Sequence, residues 1–323
     1  MEGALPPVVR NACWETSMPL DPQFRTILDT LESSGLTPLI RGDAAQTRAH
    51  YRTLSLSRRG PGFVPEEVAS VTDVRSPGGV PVRVFEPSSP GGLTLIYLHG
   101  GGWVVGDVET HDPLCRRVAN RTEARVVSVD YRLAPEHPFP AALDDAEEVL
   151  RWQRSIDPGR PVGVAGDSAG ASLSAGLAIR ARDQQIPLAA QLLLYPATDP
   201  AMTSASIAEN GEGYFLTRQD MDWFYRQYLP DGVAAAEADL AHADVAGVAP
   251  AIVATAEFDP LRDEGAAYAA RLKDAGVPVE YVPGPGLIHG FAGFLGVVDA
   301  AEANLDRILA SLGRIMRSRA SAT

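Results

Sequence analysis

Cysteine is nearly missing: Cys13 and Cys115 are the only two in 323 residues. No disulfide framework can therefore hold this chain, and a reducing cytoplasm is its simpler setting. Basic residues are outnumbered, with 28 Lys and Arg against 41 Asp and Glu and a formal net charge of -13. Such a surface repels nucleic acid and anionic membrane. No apolar run approaches the roughly 18 residues that cross a bilayer. The opening MEGALPPVVRNACW has neither the basic start nor the apolar stretch of a secretory signal. Repeats and long low-complexity tracts are lacking as well. The expectation is a soluble, cytoplasmic protein that neither binds nucleic acid nor inserts stably into membranes. In that setting Asn120-Arg121-Thr122 is a chance match to a glycosylation sequon.

What the chain does contain is enough apolar residue, 45%, to fill one large α/β domain or two smaller ones. Short runs of nearly continuous apolarity recur at Leu93 to Leu98, Arg125 to Val129, Val162 to Ala165, Gln191 to Tyr195, Ala251 to Ala256 and Val279 to Val282. Strands covered on both faces read this way. Helical stretches fall between them at Ala141 to Ser155, Ala169 to Arg182 and Glu264 to Ala275. The alternation predicts a mostly parallel, doubly wound sheet. The last helix would pack Ala301, Leu305, Ile308, Leu309 and Leu312 against it. Between Arg75 and Gly92, Pro, Gly and Ser suggest hairpin turns around a short strand, Val80 to Phe85.

Two helices stand outside the alternation. Asp21-Pro22 reads as a cap and first turn for a helix carrying Phe24, Ile27, Leu28 and Leu31 and ending at Gly35. Thr217 to Asp220 reads as a capping box before Met221, Phe224, Tyr225 and Tyr228. Aromatic stripes of this kind are core more often than binding site. Together the two segments could cover one edge of the sheet.

The chemistry gathers at strand ends. Gly166-Asp167-Ser168-Ala169-Gly170 follows one strand and opens a helix, the setting of a nucleophile elbow, where small residues flank a strained serine. A serine hydroxyl needs a base, and the base needs an orienting carboxylate. Only His242 and His289 follow Ser168, as the chain order Ser, acid, His requires. His289 lies in a glycine-flanked loop, whereas His242 sits in an Ala/Asp-rich segment with no preceding strand. Asp259 is the candidate acid because it stands at a carboxyl end of the sheet, where ligand chemistry collects. Glu257, Asp263 and Glu264 compete with it and read otherwise as charges complementing a helix N-terminus. Three consecutive glycines, Gly100 to Gly102, close the strand that ends at Leu98. The backbone N–H groups of Gly101 and Gly102, with that of Ala169, could hold the oxyanion formed when Ser168 attacks an acyl carbonyl. A phosphate-binding loop is the rival reading, but the run has neither a following Gly-Lys-Ser/Thr nor Rossmann spacing.

These pieces resemble the hormone-sensitive-lipase-like family of α/β-hydrolases, the bacterial family IV carboxylesterases. The resemblance rests on HGGGW (His99 to Trp103), DYRLAPEHPFPAALDD (Asp130 to Asp145), GDSAG, YPATD (Tyr195 to Asp199), EFDPLRDEG (Glu257 to Gly265) and IHGF (Ile288 to Phe291), in the family's order. Ala171 and Pro285-Gly286-Leu287 depart from its usual pattern. The resemblance implies Ser168 as nucleophile, His289 as base, Asp259 as orienting acid, and Gly101, Gly102 and Ala169 as oxyanion donors. It also makes His99 and Tyr131 to Pro138 structural braces.

The resemblance further implies an α/β-hydrolase core over 56–200 and 233–323 with a helical cap from 1–55 and 201–232. Trp103, Tyr214 and Phe215, and Trp14 with them, would shape the substrate pocket. The expected activity is carboxylesterase action on small-molecule esters of short to medium acyl chains through an acyl-enzyme, with no metal or organic cofactor. A homodimer through the sheet edge and last helix is a further expectation. Acyl transfer at the same site, or a catalytically silent ligand-binding homologue, are the alternatives.

Overall fold

The computed structural model describes residues 18–59, 62–229 and 238–320. Eight strands form one sheet: β1 (Ser70–Arg75), β2 (Pro81–Glu86), β3 (Leu93–Leu98), β4 (Ala124–Val129), β5 (Val162–Asp167), β6 (Gln191–Leu194), β7 (Ala251–Phe258) and β8 (Val279–Ile288). Their spatial order is β1-β2-β4-β3-β5-β6-β7-β8. Pairing is antiparallel from β1 to β2 and from β2 to β4, and parallel throughout the rest. The doubly wound expectation is thus met, with an antiparallel edge added to it.

The helices are α1 (Pro22–Ser33), α2 (Ala44–Ser57), α3 (Asp112–Thr122), α4 (Ala141–Ile156), α5 (Ala169–Asp183), α6 (Ala205–Asn210), α7 (Arg218–Tyr228), α8 (Arg262–Asp274) and α9 (Asp299–Ala320). Strand β3 shows why its sequence is apolar at every position but Thr94. Leu93, Leu95 and Tyr97 face a core shared with α3 and α9, while Ile96 and Leu98 face a second core under α4 and α5. The five apolar positions named on α9 are all buried in the first of these cores.

The caps form as the sequence suggests. Asp21 Oδ1 accepts the Gln23 N–H at 2.8 Å, and Thr217 and Asp220 close a reciprocal capping box. Phe24 of α1 then meets Phe294 edge to face at 5.2 Å. Four elements, β1, α2, α3 and the short α6, have no counterpart in the sequence reading. β1 is an edge strand whose residues are mostly exposed, so no apolar run marks it. α3 is rich in arginine, and Arg117 is buried with Asp306 and Glu302 of α9 at 2.7 Å and Glu66 at 3.0 Å. α2 begins with a capping box between Asp43 and Gln46. Because α2 runs to Ser57, the expected boundary after residue 55 falls inside a helix, and the boundary at 233 lies outside the described residues.

Leu305 sits at the centre of the α9 contact and is fully buried. Leu305→Ala should cost about 2–5 kcal/mol of unfolding free energy in urea titrations. A loss below about 1 kcal/mol would mean that α9 contributes little to the core.

Candidate active site

The turn from β5 to α5 is built around two close backbone approaches. A Cβ on Gly166 would overlap the Gly170 carbonyl, and one on Gly170 would overlap the Leu98 carbonyl at the end of β3. Both positions must therefore be glycine, and the residue between them is held at φ 53°, ψ -122°. That residue is Ser168, in a region that L side chains rarely adopt.

His289 follows the last residue of β8, and Asp259 the last residue of β7. Their positions are closer to the strands than the sequence suggested, because both strands run past their expected ends. His289 Nε2 lies 2.9 Å from Ser168 Oγ, and its Nδ1 lies 2.9 Å from Asp259 Oδ2. Asp259 is fully buried, and its other oxygen accepts the Leu261 N–H at 2.8 Å. The structure therefore brings the three expected side chains into one hydrogen-bonded row.

The competing groups are engaged elsewhere. Glu257 accepts the Gly286 N–H at 2.8 Å, and Asp263 the Ser206 N–H at 2.9 Å. Glu264 accepts from Thr198 N at 2.6 Å and Asp199 N at 3.3 Å. His242 is exposed beside Asp239.

The glycine run curls over the serine. Gly101 and Gly102 have φ of 128° and 55°. A Cβ on Gly101 would overlap the Val105 carbonyl, and one on Gly102 the Phe224 ring. None of the turn and loop bonds among the described residues uses the N–H of Gly101, Gly102 or Ala169. As the first residue of α5, Ala169 also has no intrahelical acceptor for its N–H.

Asp167 anchors the base of the loop by accepting the Gly100 N–H at 3.0 Å and the Tyr97 hydroxyl at 2.8 Å. Burial works to raise its pKa, but the facing His111 and the Tyr97 hydroxyl bring the net shift below the usual value. His99 stacks on Tyr131 with ring centroids 4.2 Å apart, and its Nδ1 lies 2.9 Å from the Gly100 carbonyl. Burial, with His111 beside it, pulls its pKa down to about 4. It is thus neutral at physiological pH and occupied with the loop.

A cavity of about 110 Å³ opens onto Ser168 and His289. Trp103 and Phe215 line it, and Trp103 is stacked on Tyr228 at 4.3 Å. Tyr214 is the exception: its ring packs on Phe258 at 5.0 Å and is not part of the lining. At a turn where Phe215 takes φ 79°, neighbouring side chains diverge, and a periodicity argument cannot assign them. Trp14 and Cys13 lie outside the described residues, while Cys115 is a buried free thiol.

Met221, Phe224 and Tyr225 line the cavity although their stripe read as core; Met221 and Phe224 are in fact buried in the core and contribute to both. Leu39, Tyr51 and Arg58, from α2 and its flanks, are lining residues that the sequence reading missed. The capping box at Asp43 to Gln46 was the available signal for that helix. Among the described residues no cluster of His, Cys, Asp and Glu is arranged to hold a metal ion.

A profile of the α/β-hydrolase fold family matches residues 95–293. The chain belongs to this family. It is 39% identical, over 91% of its length and 82% of the relative's, to the carboxylic ester hydrolase LipN of Mycobacterium tuberculosis. It is 34% identical to an ethyl acetate hydrolase of Pseudomonas putida, over 91% of this chain and 99% of that one. Among solved structures, the hyperthermophilic esterase of Pyrobaculum calidifontis superposes with a TM-score of 0.84 at 38% identity, covering 94% of this chain and 99% of its own. This hydrolase thus stands among carboxylic ester hydrolases, in the hormone-sensitive-lipase-like group that its motifs resemble.

Burial pushes the Glu264 carboxyl up to about 8, from an ordinary 4.5. A raised carboxyl contributes stability that is full below its unfolded value and is lost as pH rises toward its folded value. Between about pH 5 and pH 8 the thermal midpoint should therefore fall relative to that of Glu264→Gln, which keeps the acceptor for Thr198 and Asp199 without the charge. Parallel pH profiles for the two proteins would contradict this.

Proposed function

We propose that this hydrolase is a serine carboxylesterase for short- to medium-chain acyl esters, working through an acyl-enzyme. The observation that carries the reading is the unbroken path from Asp259 through His289 to Ser168, with 2.9 Å at each step. Ser168 Oγ attacks the ester carbonyl as its proton passes to His289 Nε2. Asp259 holds the imidazole with Nδ1 protonated and stabilises the cation that forms. The negative charge on the former carbonyl oxygen is met by the N–H groups of Gly101, Gly102 and Ala169, pre-aligned and without loop partners. Collapse expels the alcohol, which takes the proton from His289. Water then repeats the sequence on the acyl-enzyme and frees the acid.

The same reading assigns residues 201–232 and the N-terminal segment through α2 to a cap over the site. Its support is that Leu39, Tyr51, Phe215, Leu216, Met221 and Phe224 all line the cavity. The size of the cavity, about 110 Å³, favours the short end of the acyl range: a cavity of about 150 Å³ holds benzene.

Hydrolysis of p-nitrophenyl esters from acetate to palmitate should peak at short chains and vanish in Ser168→Ala. Asp259→Asn, which leaves the imidazole in the wrong tautomer, should lower kcat by roughly 10²–10⁴. Substantial turnover by folded Ser168→Ala, sensitive to serine-directed inhibitors, would overturn the assignment of the nucleophile.

A further inference from the structure

The arginines on α2 and just after it are not alike. Arg48 meets Glu136 at 2.9 Å, Arg59 meets Glu109 at 2.9 Å, and Arg52 pairs with Asp107. Arg58 has no such partner among the described residues, and its buried Nη2 has no hydrogen-bond acceptor. It lines the cavity that holds Ser168 and His289. Its guanidinium lies 4.3 Å from the ring centre of Phe294 and 5.0 Å from that of Phe215. The groups that act on it electrostatically are the phenols of Tyr51 and Tyr195.

A guanidinium stays protonated at neutral pH. Leaving one of its donors buried and unsatisfied is costly, and two aromatic faces offset only part of that cost. The arrangement places a planar fork of donors, in contact with two rings, on the wall of the cavity that holds Ser168 and His289. Carboxylates match such a fork in geometry and charge. Long-range attraction cannot explain an anionic preference here, because the chain carries a net charge of -13, so any selectivity must be local.

We propose that Arg58 binds an anionic group of the substrate, making this an esterase for esters that carry a carboxylate near the scissile bond. The inference rests on the carboxylesterase reading above. The shared chemistry is a tethered carboxylate, which can come from either side of the ester: the acyl half, as in half-esters of dicarboxylic acids, or the alcohol half, as in acetates of hydroxy acids.

The test compares monoethyl succinate, glutarate and adipate with neutral ethyl esters of matched length, and acetoxy acids with neutral alkyl acetates. In the wild type, kcat/KM should favour the charged member by tenfold or more in one of the two series, which identifies the side that Arg58 reads. Arg58→Met should cut that charged-to-neutral ratio at least tenfold, and Arg58→Lys should restore part of it. A ratio near one in both series, or a variant that slows charged and neutral esters equally, would overturn the proposal while leaving the esterase reading intact. Absence of Ser168-dependent turnover of the neutral esters would instead overturn that reading. Should Arg58→Met fail to fold, the wild type carries the same test: free glutarate should inhibit competitively and its diamide should not. Equal inhibition by the two, or by neither, would contradict the proposal.

Discussion

The site depends on one steric constraint, the contact between the first turn of α5 and the carbonyl end of β3. Gly170 is pressed against the Leu98 carbonyl so closely that no Cβ fits, and Gly166 against Gly170 in turn. The chain between them can only turn sharply, and Ser168 takes the positive φ that results. The strain is localised where the sheet is most constrained, since β3 and β5 are parallel neighbours in its middle and are buried along their whole length. Packing on both faces of β3 therefore holds the serine hydroxyl in place. The same contact sets the start of the glycine run directly beside the serine, because Leu98 is also the last residue before His99 and Gly100 to Gly102. Candidate nucleophile and candidate oxyanion donors are thus positioned by one junction.

Around that junction several buried carboxylates and hydroxyls are tied by hydrogen bonds, and each tie has a mechanical result. Asp167 ties the Gly100 N–H to the residue before the serine, so the loop and the elbow move as one. Tyr131 bonds the His99 carbonyl at 2.7 Å, which links the glycine run to the segment after β4. Glu257 holds Gly286 in β8, three residues before the histidine, and Glu264 ties α8 to the chain beyond β6. Carboxylates that competed for the acid role in the sequence are therefore the fasteners of the strand ends that bear Asp259 and His289. Arg58 Nη2, Ser55 Oγ and Trp103 Nε1, on residues that line the cavity, are buried without partners, and of the three only Arg58 carries a charge.

Much of this was legible in the sequence because it is expressed locally. GDSAG and HGGGW are contiguous, and their glycines record close approaches that no other residue tolerates. Asp259 could be found because it follows a continuous apolar run, and His289 because only two histidines follow Ser168 and this one lies in a glycine-flanked segment. The fold class followed from the alternation of those runs with helical periods. Less was legible where position depends on distant partners. Arg117 is buried by acidic residues nearly two hundred positions away, and the arginines of α3 masked its short apolar stripe, Leu114, Cys115, Val118 and Ala119. The lining of the cavity is drawn from α2, the turn at Phe215 and α7, and its shape is set by how these segments lean together. That is why Tyr214 and Phe215 looked equivalent in sequence and separate in the structure, and why Arg58 attracted no notice among four neighbouring arginines.

The central claim is that Ser168, activated through His289 and Asp259, is the nucleophile. The most direct measurement is stoichiometric labelling with a fluorophosphonate, followed by mass spectrometry of the digested protein. The account predicts one adduct per chain, on the Ser168 hydroxyl, formed in step with loss of esterase activity. Labelling at another residue, or complete loss of activity with Ser168 unmodified, would contradict it.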